Sequence, residues 1–225
     1  MEATSKASKA GRQLVALLSA GATLAIATFV SASTSTQVKN LDPLVVSRTA
    51  HVATALADGK ILMTGGRDSA GNIVAVTEIF DPATETSTDS GTLNTPRVNH
   101  TATRLGDGRV LVAGGSDGTA MLSSAEIFDP SNPDAGFRVL SATMFAARAG
   151  HTATLLNSSK VLITGGDGAG TAEIFDPVTE TFSPTLWAMT QPRSGHTATL
   201  FTDDSVLLAG GNSDSMELFT PADQR

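Results

Sequence analysis

The stretch Arg97-Val98-Asn99-His100-Thr101-Ala102-Thr103, followed by Asp107-Gly108-Arg109-Val110-Leu111-Val112-Ala113-Gly114-Gly115, decides the fold, because the chain holds it four times. The first copy runs Arg48-Thr49-Ala50-His51-Val52-Ala53-Thr54, then Asp58-Gly59-Lys60-Ile61-Leu62-Met63-Thr64-Gly65-Gly66. The third runs Arg148-Ala149-Gly150-His151-Thr152-Ala153-Thr154, then Lys160-Val161-Leu162-Ile163-Thr164-Gly165-Gly166. The fourth runs Arg193-Ser194-Gly195-His196-Thr197-Ala198-Thr199, then Asp203-Asp204-Ser205-Val206-Leu207-Leu208-Ala209-Gly210-Gly211. Each is followed by a Glu-(Ile/Leu)-Phe element: Glu78 to Phe80, Glu126 to Phe128, Glu173 to Phe175 and Glu217 to Phe219.

The histidines are 49, 51 and 45 residues apart. A period near that length accommodates four short strands and their turns. The segment after each His alternates small and polar residues and is expected to be the first strand. The apolar run before each Gly-Gly is the second strand, with no polar face. Asp58-Gly59 and Asp107-Gly108 between them read as two-residue hairpin turns with positive φ at both positions. The Glu-Ile-Phe element is the third strand, Asp-Pro after it a turn, and the fourth strand falls around Phe137 and Phe182.

This pattern resembles the Kelch repeat in its bacterial form, similar to the propeller domain of the galactose oxidase family. The matching features are four hydrophobic residues before a double glycine, an aromatic in the third strand, an aromatic in the fourth, and an Arg before the next repeat. The resemblance covers residues 36–225. It implies an all-β fold: a Kelch-type β-propeller of four four-stranded blades, as a small closed ring or a partial propeller. The repeats lie at about 48–96, 97–147, 148–192 and 193–225. Residues 36–47 precede Arg48 as the fourth strand precedes Arg148, and are expected to complete the last blade. Ser87 departs from the pattern at the aromatic of the first repeat's fourth strand, and Asn157-Ser158-Ser159 replaces Asp-Gly in the third repeat.

Residues 1–32 differ from the rest. Lys6, Lys9 and Arg12 make a basic start, Leu14 to Val30 is apolar or small, and Val30-Ser31-Ala32 offers small residues before a cut. This is the layout of a secretory signal peptide, which places the remainder, 33–225, outside the cell or in a periplasm. An uncleaved membrane anchor is the alternative, at the short edge of what spans a bilayer. Loss of 1–32 removes three basic residues and Glu2, leaving 12 Lys+Arg against 21 Asp+Glu, a net charge of −9. Such a surface lacks the basic patch that phosphate binding needs, so neither nucleic acid nor an anionic membrane is an expected partner.

Repetition separates scaffold from site. His51, His100, His151 and His196 could ring a metal, but they recur with the whole Arg-x-x-His unit and are expected to be structural, bonding a neighbouring loop or blade. Arg48, Arg97, Arg148 and Arg193 are expected to stack or pair between blades, with Glu78, Glu126, Glu173 and Glu217 as partners. The glycine pairs lack the Lys-Ser/Thr and the helix of a phosphate loop and are expected to serve positive φ or close packing. The segments after Gly-Gly vary, and they supply the candidate ligand-binding residues: Arg67, Asp68 and Asn72; Ser116 and Asp117; Asp167; Asn212 and Asp214. Asx turns are their default state, and none has the spacing of a calcium loop.

The oxidases that share the resemblance need copper held by tyrosines and histidines, with a Tyr–Cys cross-link, and this chain has neither Tyr nor Cys. Sialidase propellers need a Tyr nucleophile, an Arg triad and Asp-box motifs, which are absent too. The expectation is a non-catalytic binding module without cofactor, recognising an extracellular protein or glycan through its loops, and a homodimer if four blades do not close a ring. The alternative is a small carbohydrate-active enzyme, epimerase-like, using loop residues. A single Trp, Trp187, and 4% aromatic content give little surface for sugar stacking. The leader reading has a direct outcome: mass spectrometry of the exported protein's N-terminus is expected to find Ser33 or a near neighbour, whereas intact Met1 in the membrane fraction marks an anchor.

Overall fold

The structure, a computed structural model, describes residues 39–41 and 43–221. The expected leader, 1–32, and residues 33–38 lie outside them. The strands expected within the repeats are present, but the one expected at 36–47 is not seen among the described residues. In the first repeat they are β1 (Val52–Ala55), β2 (Ile61–Thr64), β3 (Val76–Asp81) and β4 (Thr86–Thr92). In the second they are β5 (Thr101–Arg104), β6 (Val110–Ala113), β7 (Ala125–Phe128) and β8 (Phe137–Val139). In the third they are β9 (Thr152–Leu155), β10 (Val161–Thr164), β11 (Ala172–Asp176) and β12 (Thr181–Pro184). The fourth has β13 (Thr197–Leu200), β14 (Val206–Ala209) and β15 (Met216–Phe219). The described helical content is one 3-10 turn, Pro133–Ala135.

Each repeat folds as its own antiparallel meander. The order is β1-β2-β3-β4, β5-β6-β7-β8, β9-β10-β11-β12 and β13-β14-β15, so the first three sheets have four strands and the last has three among the described residues. The first strands are neighbours across sheets: β1 lies against β5, β5 against β9 and β9 against β13. The arrangement is blade-like, four sheets following one another in chain order. The register repeats as well. Phe128 faces Phe137 and Phe175 faces Phe182 across the outer strand pair, each with ring centroids 4.9 Å apart. In the first sheet Phe80 faces Ser87, so the departure noted in the sequence sits in the aromatic's own slot.

The core lies between sheets. β6 and β10 are buried on both faces, which is why they carry no polar alternation, while β14 is buried on one face and half-buried on the other. Leu56 and Leu62 of sheet 1 pack with Val110, Val112 and Phe128 of sheet 2. Leu105, Leu111 and Ile127 of sheet 2 pack with Val161, Ile163 and Phe175 of sheet 3. Leu156 and Leu162 of sheet 3 pack with Val206 and Leu208 of sheet 4. One strand's alternate residues thus serve two cores, the period-2 geometry of a strand used on both sides.

Two expectations need correcting. The hairpins between first and second strands are wider than two residues. The Leu56 N–H donates to Lys60 O at 2.8 Å and the Gly59 N–H to Leu56 O at 3.2 Å. Only the last turn residue has positive φ: Gly59, Gly108, Ser159 and Asp204. This is the longer turn with a bulge, in which one left-handed residue suffices. The second correction concerns residues before Arg48. Residues 39–41 and 43–47 form no strand, and the Val45 and Val46 N–H groups donate to the Glu78 carboxylate at 2.8 and 3.0 Å, in sheet 1. Any pairing of the 36–47 segment with sheet 4 falls on residues outside the described ones.

The first glycine of the first three pairs is fixed by approach between sheets. A Cβ on Gly114 (φ +60°) would stand 2.7 Å from the Arg148 carbonyl oxygen and 2.7 Å from His151 Cε1 of the next repeat. Gly108 (φ +92°) has nothing within 4 Å. Gly108→Ala is therefore expected to cost only the left-handed conformation, about 1 kcal/mol. Gly114→Ala adds a backbone clash and is expected to cost on the order of 3 kcal/mol or more. Equal losses of stability on chemical denaturation would show that the approach is unimportant.

Candidate functional site

Each repeat begins with a buried ion pair. Arg48–Glu78, Arg97–Glu126, Arg148–Glu173 and Arg193–Glu217 are 2.5, 2.7, 2.5 and 2.6 Å apart. The partners are those expected, but each pair lies within one repeat and not between neighbours. The guanidinium also donates to backbone carbonyls of its own sheet, as Arg97 does to Gly114 O at 2.8 Å and Ser124 O at 3.1 Å. The carboxylate in turn accepts two backbone N–H groups from the lead-in: Asn94 and Thr95 on Glu126, Phe145 and Ala146 on Glu173, Thr190 and Gln191 on Glu217. Both charges are thus paired and further hydrogen-bonded inside the protein, the condition for burying them, although Nε of Arg148 and of Arg193 is left without a partner.

The histidines bond the preceding repeat. His100 Nε2 lies 2.8 Å from Thr64 Oγ1, His151 Nε2 3.0 Å from Thr101 Oγ1, and His196 Nε2 3.0 Å from both Thr152 and Thr164 Oγ1. Burial, reinforced by the neighbouring arginine, pushes His100 and His151 down to about 3, and His196 shifts the same way. All are therefore neutral in the folded protein at neutral pH. Among the described residues no group of three or more His, Asp or Glu is placed to hold a metal ion.

The variable loops fall at one end of the sheets. Their bases are tied to the residues just ahead of the first strands, through bridges Thr49–Arg67 and Val98–Ser116. Gly150 N–H donates to Asn99 O and Gly195 N–H to Gly150 O, linking these starts in series across three repeats. The loops themselves are Asx turns. Asp68 accepts Ala70 and Asn72 N–H groups and the Asn72 side-chain amide, and Arg67 donates to Gly71 O. Ser116 Oγ accepts the Gly118 N–H. Asp117 Oδ1 accepts the N–H groups of Thr119 and Ala120 and the Thr119 hydroxyl, which holds its carboxyl down to about 2. Asp167 accepts from Gly170 N–H and the Thr171 hydroxyl. Asn212 sits at φ +67°, and Asp214 is exposed. The structure brings these loops into a series, with the carboxylates of Asp68, Asp117 and Asp167 held by their own loop's backbone.

A small cleft of about 90 Å³ lies beside the third of these loops, lined by Thr164, Ala172, Met189 and Leu218, and the wider clefts are at the other end. The largest described, about 520 Å³, lies between the hairpins of sheets 2 and 3. Arg109 is its main charged feature, 2.7 Å from Asp107 and 2.6 Å from Glu180, while Arg138 reaches the same Glu180 at 2.6 Å. The sequence reading missed this network. Arg109 follows an Asp-Gly turn in sheet 2, and Glu180 lies 71 residues away in the next repeat. One signal was available: a Thr-Glu after Asp-Pro at Glu85 and again at Glu180. The arrangement links two sheets and has no donor and acceptor set apart for proton transfer.

No protein-family model matches the chain, and no curated protein matches it. The site is therefore judged on its geometry.

The buried histidines give the fold a signature in pH. Their folded values are depressed below the unfolded value of about 6.5, so the unfolded chain takes up protons that the folded one refuses. Stability is expected to be level in this respect above pH 7 and to fall as pH drops from about 6.5, before the aspartates titrate near 4. The slope attributable to each histidine approaches about 1.4 kcal/mol per pH unit. Denaturation of the His100→Gln variant between pH 7 and 4.5 should show a shallower slope; an unchanged slope counts against a buried neutral His100.

Proposed function

We propose that this chain is an exported, non-catalytic binding module, a Kelch-type propeller or partial propeller that recognises a protein or glycan through the loops after its glycine pairs. The observation that carries the reading is the division of labour between repeated and unrepeated residues. The residues common to the repeats serve the scaffold: Arg and Glu in a buried or half-buried pair in all four, His100, His151 and His196 against threonines, and Gly65, Gly114 and Gly165 against carbonyls. What differs between repeats is presented in series at one end: Arg67 with Asp68 and Asn72, Ser116 with Asp117, Asp167, and Asn212 with Asp214.

The character of those loops favours a macromolecular ligand. They form short turns, the cleft beside the third loop is only about 90 Å³, and the wider clefts lie at the opposite end, so the loops present relief rather than a pocket for a drug-sized molecule. Preordered carboxylates suit a partner that brings hydrogen-bond donors, such as basic side chains or sugar hydroxyls, and the order of the turns lowers the entropy lost on binding. An acidic face also predicts that salt weakens attachment to a basic protein but not to a neutral glycan.

The test is binding of the exported protein to a glycan array and to a panel of basic extracellular proteins, repeated with Asp117→Ala combined with Asp214→Ala. Loss of at least tenfold in affinity, about 1.4 kcal/mol, with unchanged melting supports the reading. Binding that survives both substitutions, or turnover of a sugar by the purified protein, overturns it.

A further inference from the structure

We propose that the far face of sheet 4 docks on the near face of sheet 1 in a second copy of this chain, joining the copies head to tail. The argument comes from the three sheet contacts already made inside one chain, which are copies of one another. On the leading side each offers a leucine from the hairpin, a leucine in the second strand and an aliphatic in the third: Leu56, Leu62 and Ile79; Leu105, Leu111 and Ile127; Leu156, Leu162 and Ile174. On the receiving side each offers two aliphatics from the second strand and a phenylalanine from the third, such as Val110, Val112 and Phe128.

Sheet 4 carries the same leading side with no sheet on it among the described residues. Its residues at those positions are Phe201, Leu207 and Leu218, where Phe201 is 44% and Leu218 54% exposed. Met216, at the place of the buried Ala125 and Ala172, is 70% exposed. Sheet 1 carries the same receiving side, Ile61, Met63 and Phe80, with no sheet against it among the described residues.

The polar fittings are bare in matching places. At each internal contact the second glycine of a pair donates its N–H to the carbonyl of the next arginine: Gly66 to Arg97, Gly115 to Arg148, Gly166 to Arg193. Gly211 N–H has no such acceptor and Arg48 O no such donor among the described residues. The first glycine of the pair meets an arginine carbonyl within 2.7 Å of a built Cβ at Gly65, Gly114 and Gly165, whereas Gly210 has nothing within 4 Å. His51 Nε2 lacks the threonine that its three counterparts have, and Thr197, counterpart of Thr101 and Thr152, lacks the histidine. An apolar face of this size, edged by an unused donor and a glycine shaped for a carbonyl, fits one kind of partner: a sheet that begins Arg-x-x-His. This chain carries such a sheet, sheet 1, whose side has no sheet against it among the described residues, with Ile61 and Phe80 half-buried and Met63 already 7% exposed in one copy. Two copies joined by two such contacts satisfy both faces of each.

Sedimentation velocity and native mass spectrometry of the chain as its host produces it, across nanomolar to high micromolar concentration, should show a dimer or a longer head-to-tail series. Leu218→Arg, at a position exposed in one copy, should weaken association at least tenfold and leave the far-UV spectrum unchanged. Because the chain has no native cysteine, cross-linking can locate the contact. Thr54 Oγ1 of sheet 1 bonds Ala102 O of sheet 2 at 3.0 Å, and the corresponding pair across the proposed contact is Thr199 with Ala53. Thr199→Cys protein mixed with Ala53→Cys protein should give a mixed disulfide dimer. A monomer at every concentration overturns the proposal. So does a Thr199→Cys/Ala53→Cys double variant that cross-links only within one chain at high dilution, since that is a ring closed by the chain on itself.

Discussion

The structure depends on a buried charge that must be satisfied four times. An arginine guanidinium and a glutamate carboxylate lie together inside every sheet, both nearly without solvent in the first three, and neither could remain there alone. Removal of one partner from a buried pair typically costs 3–5 kcal/mol. The added hydrogen bonds are what make the arrangement tolerable. The guanidinium spends its other donors on the carbonyls of the second strand's exit and the third strand's start. The carboxylate spends its second oxygen on the lead-in, so three separate parts of each repeat are brought to one point.

The same arginine also aligns neighbours. Its side chain belongs to its own sheet, but its carbonyl accepts the glycine N–H of the sheet before, as Arg97 does from Gly66. Glycine at both positions of the pair is the steric condition for that bond. The histidine three residues on adds a second link to the preceding sheet, through Thr64 for His100. Polar groups therefore set the spacing and angle at which one sheet meets the next, and the leucine, valine and phenylalanine side chains fill the gap so defined.

Much of this was legible in the sequence because repetition is a strong signal and each strand type has its own period. The four-residue apolar runs named the buried strands, and Phe137 and Phe182 named the outer ones. The identity of the Arg–Glu partners was legible too. Their confinement to one repeat was not, because pairing within and between repeats puts the same residues in the same order. The turn at Asp58-Gly59 misled by its dipeptide: Asp-Gly suits both positions of a two-residue turn, but here Asp58 caps the Lys60 N–H and only glycine is left-handed. Ser159 and Asp204 show the same point in residues that no glycine rule would select. The candidate loops were found by their variability, and variability says where a ligand could touch without saying which. The Arg109–Glu180–Arg138 network escaped because its members come from two repeats and share no period.

The stacking of sheets in chain order has a consequence for how the protein is made. A meander of some fifty residues has mostly local contacts, so each sheet can close soon after its own third strand is synthesised. Synthesis proceeds from the N-terminus, so the leading face of the newest sheet waits, apolar and uncovered, until the next repeat arrives. That exposure recurs once per repeat during biogenesis, and chaperone binding to nascent or translocating chains should therefore rise and fall with the repeat length instead of growing steadily with the chain.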